Sequence, residues 1–116
     1  MGLELIKDTT NKNLIYIAGP MRGYVNLNRE EFYNAERRLS VSGIYSVINP
    51  ARLDDEEDLS VEDMYDKVFL RDAMKRDINA IFECDSIYML NGWEGSEGAR
   101  IEHSLASFLG LLITYQ

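Results

Sequence analysis

The sequence is poor in the residues that mark several protein classes. It has one cysteine in 116 residues, so no internal disulfide can form and a disulfide-stapled secreted scaffold is excluded. A thiol nucleophile needs an activating base, and Cys84 has only Asp85 beside it. There are two prolines and eight glycines, far from a collagen-like or low-complexity composition. Basic residues are scarce: 12 Lys and Arg stand against 20 Asp and Glu, for a net charge of −8. A chain that grips nucleic acid needs a basic footprint, so no nucleic-acid partner is expected, although a local pocket can still hold a small anion. No apolar run approaches the length of a membrane span, and the stretch from Met1 to Asn13 lacks the apolar core of a signal peptide. The expectation is a cytoplasmic protein with no membrane partner.

What is present, 46% hydrophobic and 28% charged residues, fits one small globular domain over residues 1–116, with 1–12 as a flexible or edge segment. So short a chain buries a modest core, and a homodimer or higher homo-oligomer would cover an exposed apolar face. Four short apolar runs read as buried strands: Leu14 to Ala18, Ile44 to Ile48, Ser86 to Leu90 and Leu111 to Tyr115. Between them lie helical patterns. Asn28 and Glu31 have the spacing of a capping pair, followed by Phe32, Ala35 and Leu39 on one face. Val68, Met74, Ile78, Ile81 and Phe82 form a second stripe, and Ile101, Leu105, Ala106 and Phe108 a third that stops at Gly110. The acidic run from Asp54 to Asp63 shows no clean period and reads as a solvated loop or short irregular helix. It lacks the alternating ligands and fixed glycine of a calcium loop, so no metal is expected. Strands alternating with helices predict an α/β fold: a flavodoxin/Rossmann-like three-layer sandwich on a small, mostly parallel four-stranded sheet.

In such a sheet, ligands collect beyond the carboxyl ends of the strands. Gly19 to Asn28, Asn49 to Asp54 and Asn91 to Gly98 fall there, and the first and last are glycine-bearing turns running into helices. Exposed N–H groups at a helix start, with the Arg22 guanidinium and the Ser96 hydroxyl, would suit one phosphate. The plain alternative is an ordinary pair of strand-to-helix turns. Gly19-x-x-x-Gly23 is neither a dinucleotide fingerprint nor a Walker loop, so NAD and ATP are not expected. Asp77 and Glu102 each lie on a helix with an apolar face beside this crevice. Their plain alternatives are a surface ion pair near Lys75 and Arg76, which adjacent positions on a helix disfavour, and a solvent-facing acid at a helix start. Tyr24 and Trp93 sit in the two loops where either can stack on a base. Tyr16 lies late in the first strand, where its hydroxyl can reach the crevice or be buried with a partner. His103 reads as a packing or surface residue.

Three stretches carry a likeness. Tyr16-Ile17-Ala18-Gly19-Pro20-Met21-Arg22-Gly23, then Arg76-Asp77-Ile78-Asn79 with Cys84-Asp85, then Gly92-Trp93-Glu94-x-Ser96-x-Gly98-Ala99-x-x-Glu102-x-x-x-Ala106 occur in order on the corresponding elements. Over Leu14 to Tyr115 the chain resembles the nucleoside 2-deoxyribosyltransferase-like superfamily. The likeness is strongest to its small phage and bacterial DUF4406-like members.

That resemblance implies attack on the anomeric carbon of a (deoxy)ribosyl group, with Glu102 as nucleophile and Asp77 orienting groups or handling a proton at the leaving base. It implies Tyr16, Gly19, Arg22, Gly23, Trp93, Ser96 and Gly98 around the substrate, and no cofactor. Free-nucleoside transferases of the superfamily carry an acid where this chain has Ser96. Serine there resembles the branch that hydrolyses nucleoside 5′-monophosphates, because an acid would repel the phosphate. The reading is thus an N-glycosidase acting on a (deoxy)ribonucleoside 5′-monophosphate. A nucleoside deoxyribosyltransferase and a non-catalytic nucleotide-binding phage protein are the alternatives. Arg100 and His103 depart from the small or apolar residues that flank the glutamate in enzymes of the superfamily.

Overall fold

A computed structural model describes residues 13–116. The expectation of a flexible or edge segment over 1–12 lies outside the described residues. Four strands, β1 (Asn13–Ala18), β2 (Tyr45–Ile48), β3 (Ser86–Met89) and β4 (Leu112–Tyr115), form one sheet in the order β2-β1-β3-β4. All three pairings are parallel, with Tyr16 in register with Ile48 on one side and Ile87 on the other. Four helices connect or cover them: α1 (Arg29–Val41), α2 (Pro50–Glu56), α3 (Lys67–Phe82) and α4 (Glu97–Leu109). The chain moves outward from β1 to β2, then crosses back to β3. The topological switch therefore falls between β1 and β3, where a crevice opens beyond the strand ends.

The alternation of side chains along β1 divides the core. Tyr16 and Ala18 face Ile81 of α3 and Ala99 and Ala106 of α4. Ile17 faces the opposite way, toward Phe32 and Ala35 of α1 and Ala51 of α2. All of these are buried, so β1 is covered on both faces, which is why it reads as an unbroken apolar run. The result is the α/β sandwich expected, with helices flanking a small parallel sheet.

Local differences from the sequence reading have physical causes. Asn28 is not a helix cap: it sits at φ 60° with no capping bond, and its side-chain amide donates to the Pro20 carbonyl. It ends three consecutive left-handed residues, Asn26, Leu27 and Asn28, a conformation costly for non-glycine residues that the burial of Leu27 helps to hold. The acidic run is not wholly solvated. Asn49 caps α2 by accepting from the Ala51 N–H, Pro50 takes the first helical position, and Asp54 on α2 is only 3% exposed. Val68, Phe82, Ile101 and Phe108, expected on buried stripes, are exposed. In α3 the inward line runs Leu70, Met74, Asp77, Ile81, at helical spacing, and Phe82 is rotated off it by one residue. In α4 the inward line is Ala99, Glu102, Ala106 and Leu109, which leaves Ile101 and Phe108 outside. Asp66 and Ser96 cap α3 and α4 by accepting from Val68 and Ala99 N–H groups. Among the described residues no helix is long and apolar enough to cross a membrane.

Gly19 follows β1 where the backbone passes close to Leu90. A Cβ on Gly19 would stand 2.7 Å from Leu90 Cβ and 2.9 Å from its Cδ1. Gly19→Ala is expected to destabilise the protein by about 1–3 kcal/mol through overpacking. Thermal unfolding of the purified variant checks it, and an unchanged Tm would show that Leu90 can move aside.

Candidate functional site

A cleft of about 350 Å³ opens beyond the carboxyl ends of β1 and β3, at the small end of the size typical of small-molecule sites. One wall is the turn after β1, with Gly19, Pro20, Met21 and Arg22. The other is the segment from Gly92 to Gly98 and the start of α4. Gly92 adopts φ +89°, and a Cβ there would lie 2.6 Å from the Tyr24 hydroxyl, so glycine lets the two loops meet over the cleft. Met64, Leu70, Ala73 and Met74 supply an apolar side.

Glu102 stands at the floor. Its residue is 7% exposed, and Oε2 accepts a 2.7 Å hydrogen bond from the Tyr16 hydroxyl, reaching across from β1. Burial, reinforced by the nearby negative charge of Asp77, pushes the Glu102 carboxyl up to about 8, while the Tyr16 bond and the Arg76 charge pull the other way. The Tyr16 phenol is itself held well above its usual value by burial and by the facing carboxylates, so it remains a donor at neutral pH. Asp77 projects from α3 into the same cleft and is raised to about 6, burial outweighing the opposing charge and hydrogen bonds of Arg76. Burial thus shifts both carboxyls toward the protonated form, Glu102 further than Asp77.

Arg76 occupies an arrangement that the sequence reading disfavoured. Although Arg76 and Asp77 are adjacent on α3, Arg76 Nε and Nη2 both donate to Asp77 Oδ1, at 2.9 and 2.7 Å. Nη2 also reaches Asp54 Oδ1 at 2.7 Å, and Nη1 reaches Glu57 Oε1 at 2.9 Å. The buried Asp54 pulls the guanidinium inward from α2, overriding the outward direction that spacing alone gives it. Burial raises Asp54 as well, against the pull of Arg76.

Of the nine residues singled out from the sequence, Tyr16, Gly19, Arg22, Asp77, Ser96, Gly98 and Glu102 line this cleft. Gly23 and Trp93 are outside its lining. Trp93 stacks on His103 instead, with ring centroids 4.3 Å apart, and the His103 ring nitrogen lies 3.0 Å from the Tyr115 hydroxyl. His103 is thus a packing partner of the cleft loop, on the side of α4 away from Glu102. Tyr24 lines the cleft as a stacking residue would. Cys84 is buried, donates to the Ala80 carbonyl, and is pushed up to about 12 by that burial, which leaves it inert as a nucleophile. Among the described residues no three His, Cys, Asp or Glu side chains group as metal ligands would. Sequence reasoning missed the Asp54 and Arg76 contribution and the Leu70 and Met74 wall. The signal for the wall was there: Leu70, Met74 and Asp77 follow one another at helical spacing, placing the acid in line with an apolar stripe.

The family model described as "Domain of unknown function (DUF4406)" matches residues 13–115. No curated protein matches the chain.

The raised Glu102 carboxyl has a consequence for stability. A carboxyl near its ordinary value of 4.5 when unfolded, but at about 8 when folded, favours the folded state below the lower value and loses that contribution as pH rises through the upper one. Thermal unfolding of the wild type is expected to fall in Tm between about pH 4.5 and 8, and Glu102→Gln to flatten that slope. A wild-type Tm that holds level over this window, or parallel slopes in the two proteins, would show that Glu102 does not titrate there.

Proposed function

The chain belongs to the DUF4406 family, and on that premise we propose that its cleft holds a nucleoside 5′-monophosphate and breaks the N-glycosidic bond. The fold itself is of a kind able to hold a nucleotide, with a crevice at the switch point of a parallel sheet. The observation that carries the finer reading is the pair of buried carboxyls, Glu102 and Asp77, meeting in that crevice with the Tyr16 hydroxyl on Glu102. Two carboxyls whose surroundings push their proton affinities apart can serve different roles.

In this reading the base stacks against the apolar side formed by Met64, Leu70 and Met74, and the sugar lies over Glu102. The phosphate meets the start of α4. Ser96 Oγ already accepts from the Ala99 N–H, which leaves its O–H to donate to a phosphate oxygen, and Arg22 adds a positive charge from the facing loop. Asp77 takes up the proton held by Glu102 and passes it to the departing base as the C1′–N bond breaks. Glu102, now a carboxylate, forms an ester to C1′, and Tyr16 donates to its other oxygen. Water attacking C1′ then releases the sugar phosphate and restores the carboxyl; a second base in place of water gives transfer. No cofactor is required. The exposed Phe108, Ile101 and Leu112 of α4 and β4 support the expected homo-oligomer.

A second reading, binding without turnover, is favoured by the burial of Glu102, which pushes its carboxyl toward the neutral form while Tyr16 holds it. Base release from a panel of ribo- and deoxyribonucleoside 5′-monophosphates, read by chromatography beside the matching nucleosides, separates these readings. Release from a monophosphate is expected, lost to background in Glu102→Gln and lowered about tenfold to a hundredfold in Tyr16→Phe, the worth of one hydrogen bond to an ionised group. Release that needs a second base identifies transfer. Ligand-raised Tm with no release from any substrate selects the binding reading.

A further inference from the structure

Asp54 lies on the most acidic stretch of the chain, yet it is buried, only 3% exposed. What it meets is Arg76, and Arg76 in turn meets Asp77. The guanidinium gives two N–H groups to one oxygen of Asp77, Oδ1, while Asp54 and Glu57 take its remaining directions from α2. An arginine held on three sides has a fixed plane, and a carboxylate held through one oxygen by two donors has a fixed rotation. Oδ1 is engaged by Arg76, so Oδ2 is the less held oxygen, with the Tyr16 hydroxyl also near the carboxyl.

We propose that Arg76, anchored from α2 by Asp54, is the positioning residue of the carboxyl pair, setting which oxygen of Asp77 faces the substrate and keeping that oxygen charged before the leaving base needs it. This rests on the reading of Asp77 and Glu102 as the reacting pair. The charged and titratable groups facing Asp77 are Arg76 on its own helix, Asp54 from α2, Tyr16 from β1 and Glu102 from α4. Arg76 is the only cation among them. Remove it, and Asp77 is left among carboxyls with no opposite charge, where the neutral acid is the stable form. A neutral Asp77 cannot take the proton from Glu102, and Glu102 then cannot become the nucleophile. The acidic segment, through Asp54, is thereby part of the site without touching the substrate.

The test follows the Asp77 carboxyl by carbon NMR through a pH titration, alongside base release from nucleoside 5′-monophosphates on the same samples. The wild type is compared with Arg76→Gln, Arg76→Lys and the double variant Arg76→Gln with Asp54→Asn. The double variant removes both charges together and keeps amide hydrogen bonding, so it folds where a lone Arg76→Gln leaves Asp54 unpaired. The Asp77 midpoint, about 6 in the wild type, is expected to rise by about one unit or more in Arg76→Gln and in the double variant, and by less in Arg76→Lys. The acid limb of the rate profile should move with it, kcat falling more than KM rises. A midpoint and an acid limb that stay put in a folded variant lacking Arg76 would overturn the proposal while leaving the glycosidic reading intact. Absence of base release from the wild type would overturn the glycosidic reading instead, and the titration would still decide whether Arg76 governs Asp77.

Discussion

The hydrogen bond from Tyr16 to Glu102 ties together the two parts of the chain on which the site depends. Tyr16 is buried in the central strand between two parallel neighbours, and its hydroxyl reaches a carboxyl on the last helix, 86 positions later in sequence. Without that donor, Glu102 would bring an unpartnered polar group into a core made of Ala99, Ala106, Ile87 and Met89. With it, the inner face of α4 can be built from small residues and still close over the sheet. The bond has a chemical effect as well as a structural one, because it favours the charged form of Glu102 against burial and Asp77.

Charge in the cleft is arranged in layers. Glu102 is innermost, Asp77 lies beside it, and Arg76 stands behind Asp77 with Asp54 and Glu57 beyond. Asp77 takes two hydrogen bonds from Arg76 and Glu102 takes none from it, so the tendency to hold a proton is greater at the floor. A chain with a net charge of −8 places one partly buried guanidinium, Arg76, among these carboxyls and another, Arg29, on Asp55. The first stands where negative charge is hardest to accommodate. Burying such pairs is expensive in stability unless every polar atom finds a partner, and among the described residues no buried side-chain nitrogen or oxygen lacks one.

The fold was legible because its signals are local. Five apolar residues stopped by Gly19-Pro20 describe a strand and its end, and each apolar run of that kind became part of the sheet within a residue or two. The glycine-bearing turns were legible for the same reason, and with them the part of the site they form. Less visible was the direction of side chains set by partners distant in sequence. Arg76 turns back toward its neighbour because Asp54 pulls it, and nothing within one turn of α3 announces that. The loop position and aromatic character of Trp93 suit stacking on a base, a lid or a dimer contact alike, and nothing near it in sequence announces that it lies against His103 and Tyr115. Phe108 fits a helical stripe with Leu105 and Ile101, yet the stripe facing the sheet is the neighbouring one with the smaller residues, because α4 must approach closely for Glu102 to reach Tyr16.

The stacking of Trp93 on His103 gives the molecule a native optical probe. This is the sole tryptophan of the chain, and it belongs to the short turn that leads from β3 into the cleft wall at Gly95 and Ser96. Its indole lies outside the lining, so a small molecule in the cleft would neither displace nor directly quench it. A change in emission on adding a nucleotide would therefore report movement of the wall itself, relayed through the backbone from Gly92 on one side and Gly95 on the other, and would do so without a label or an altered side chain.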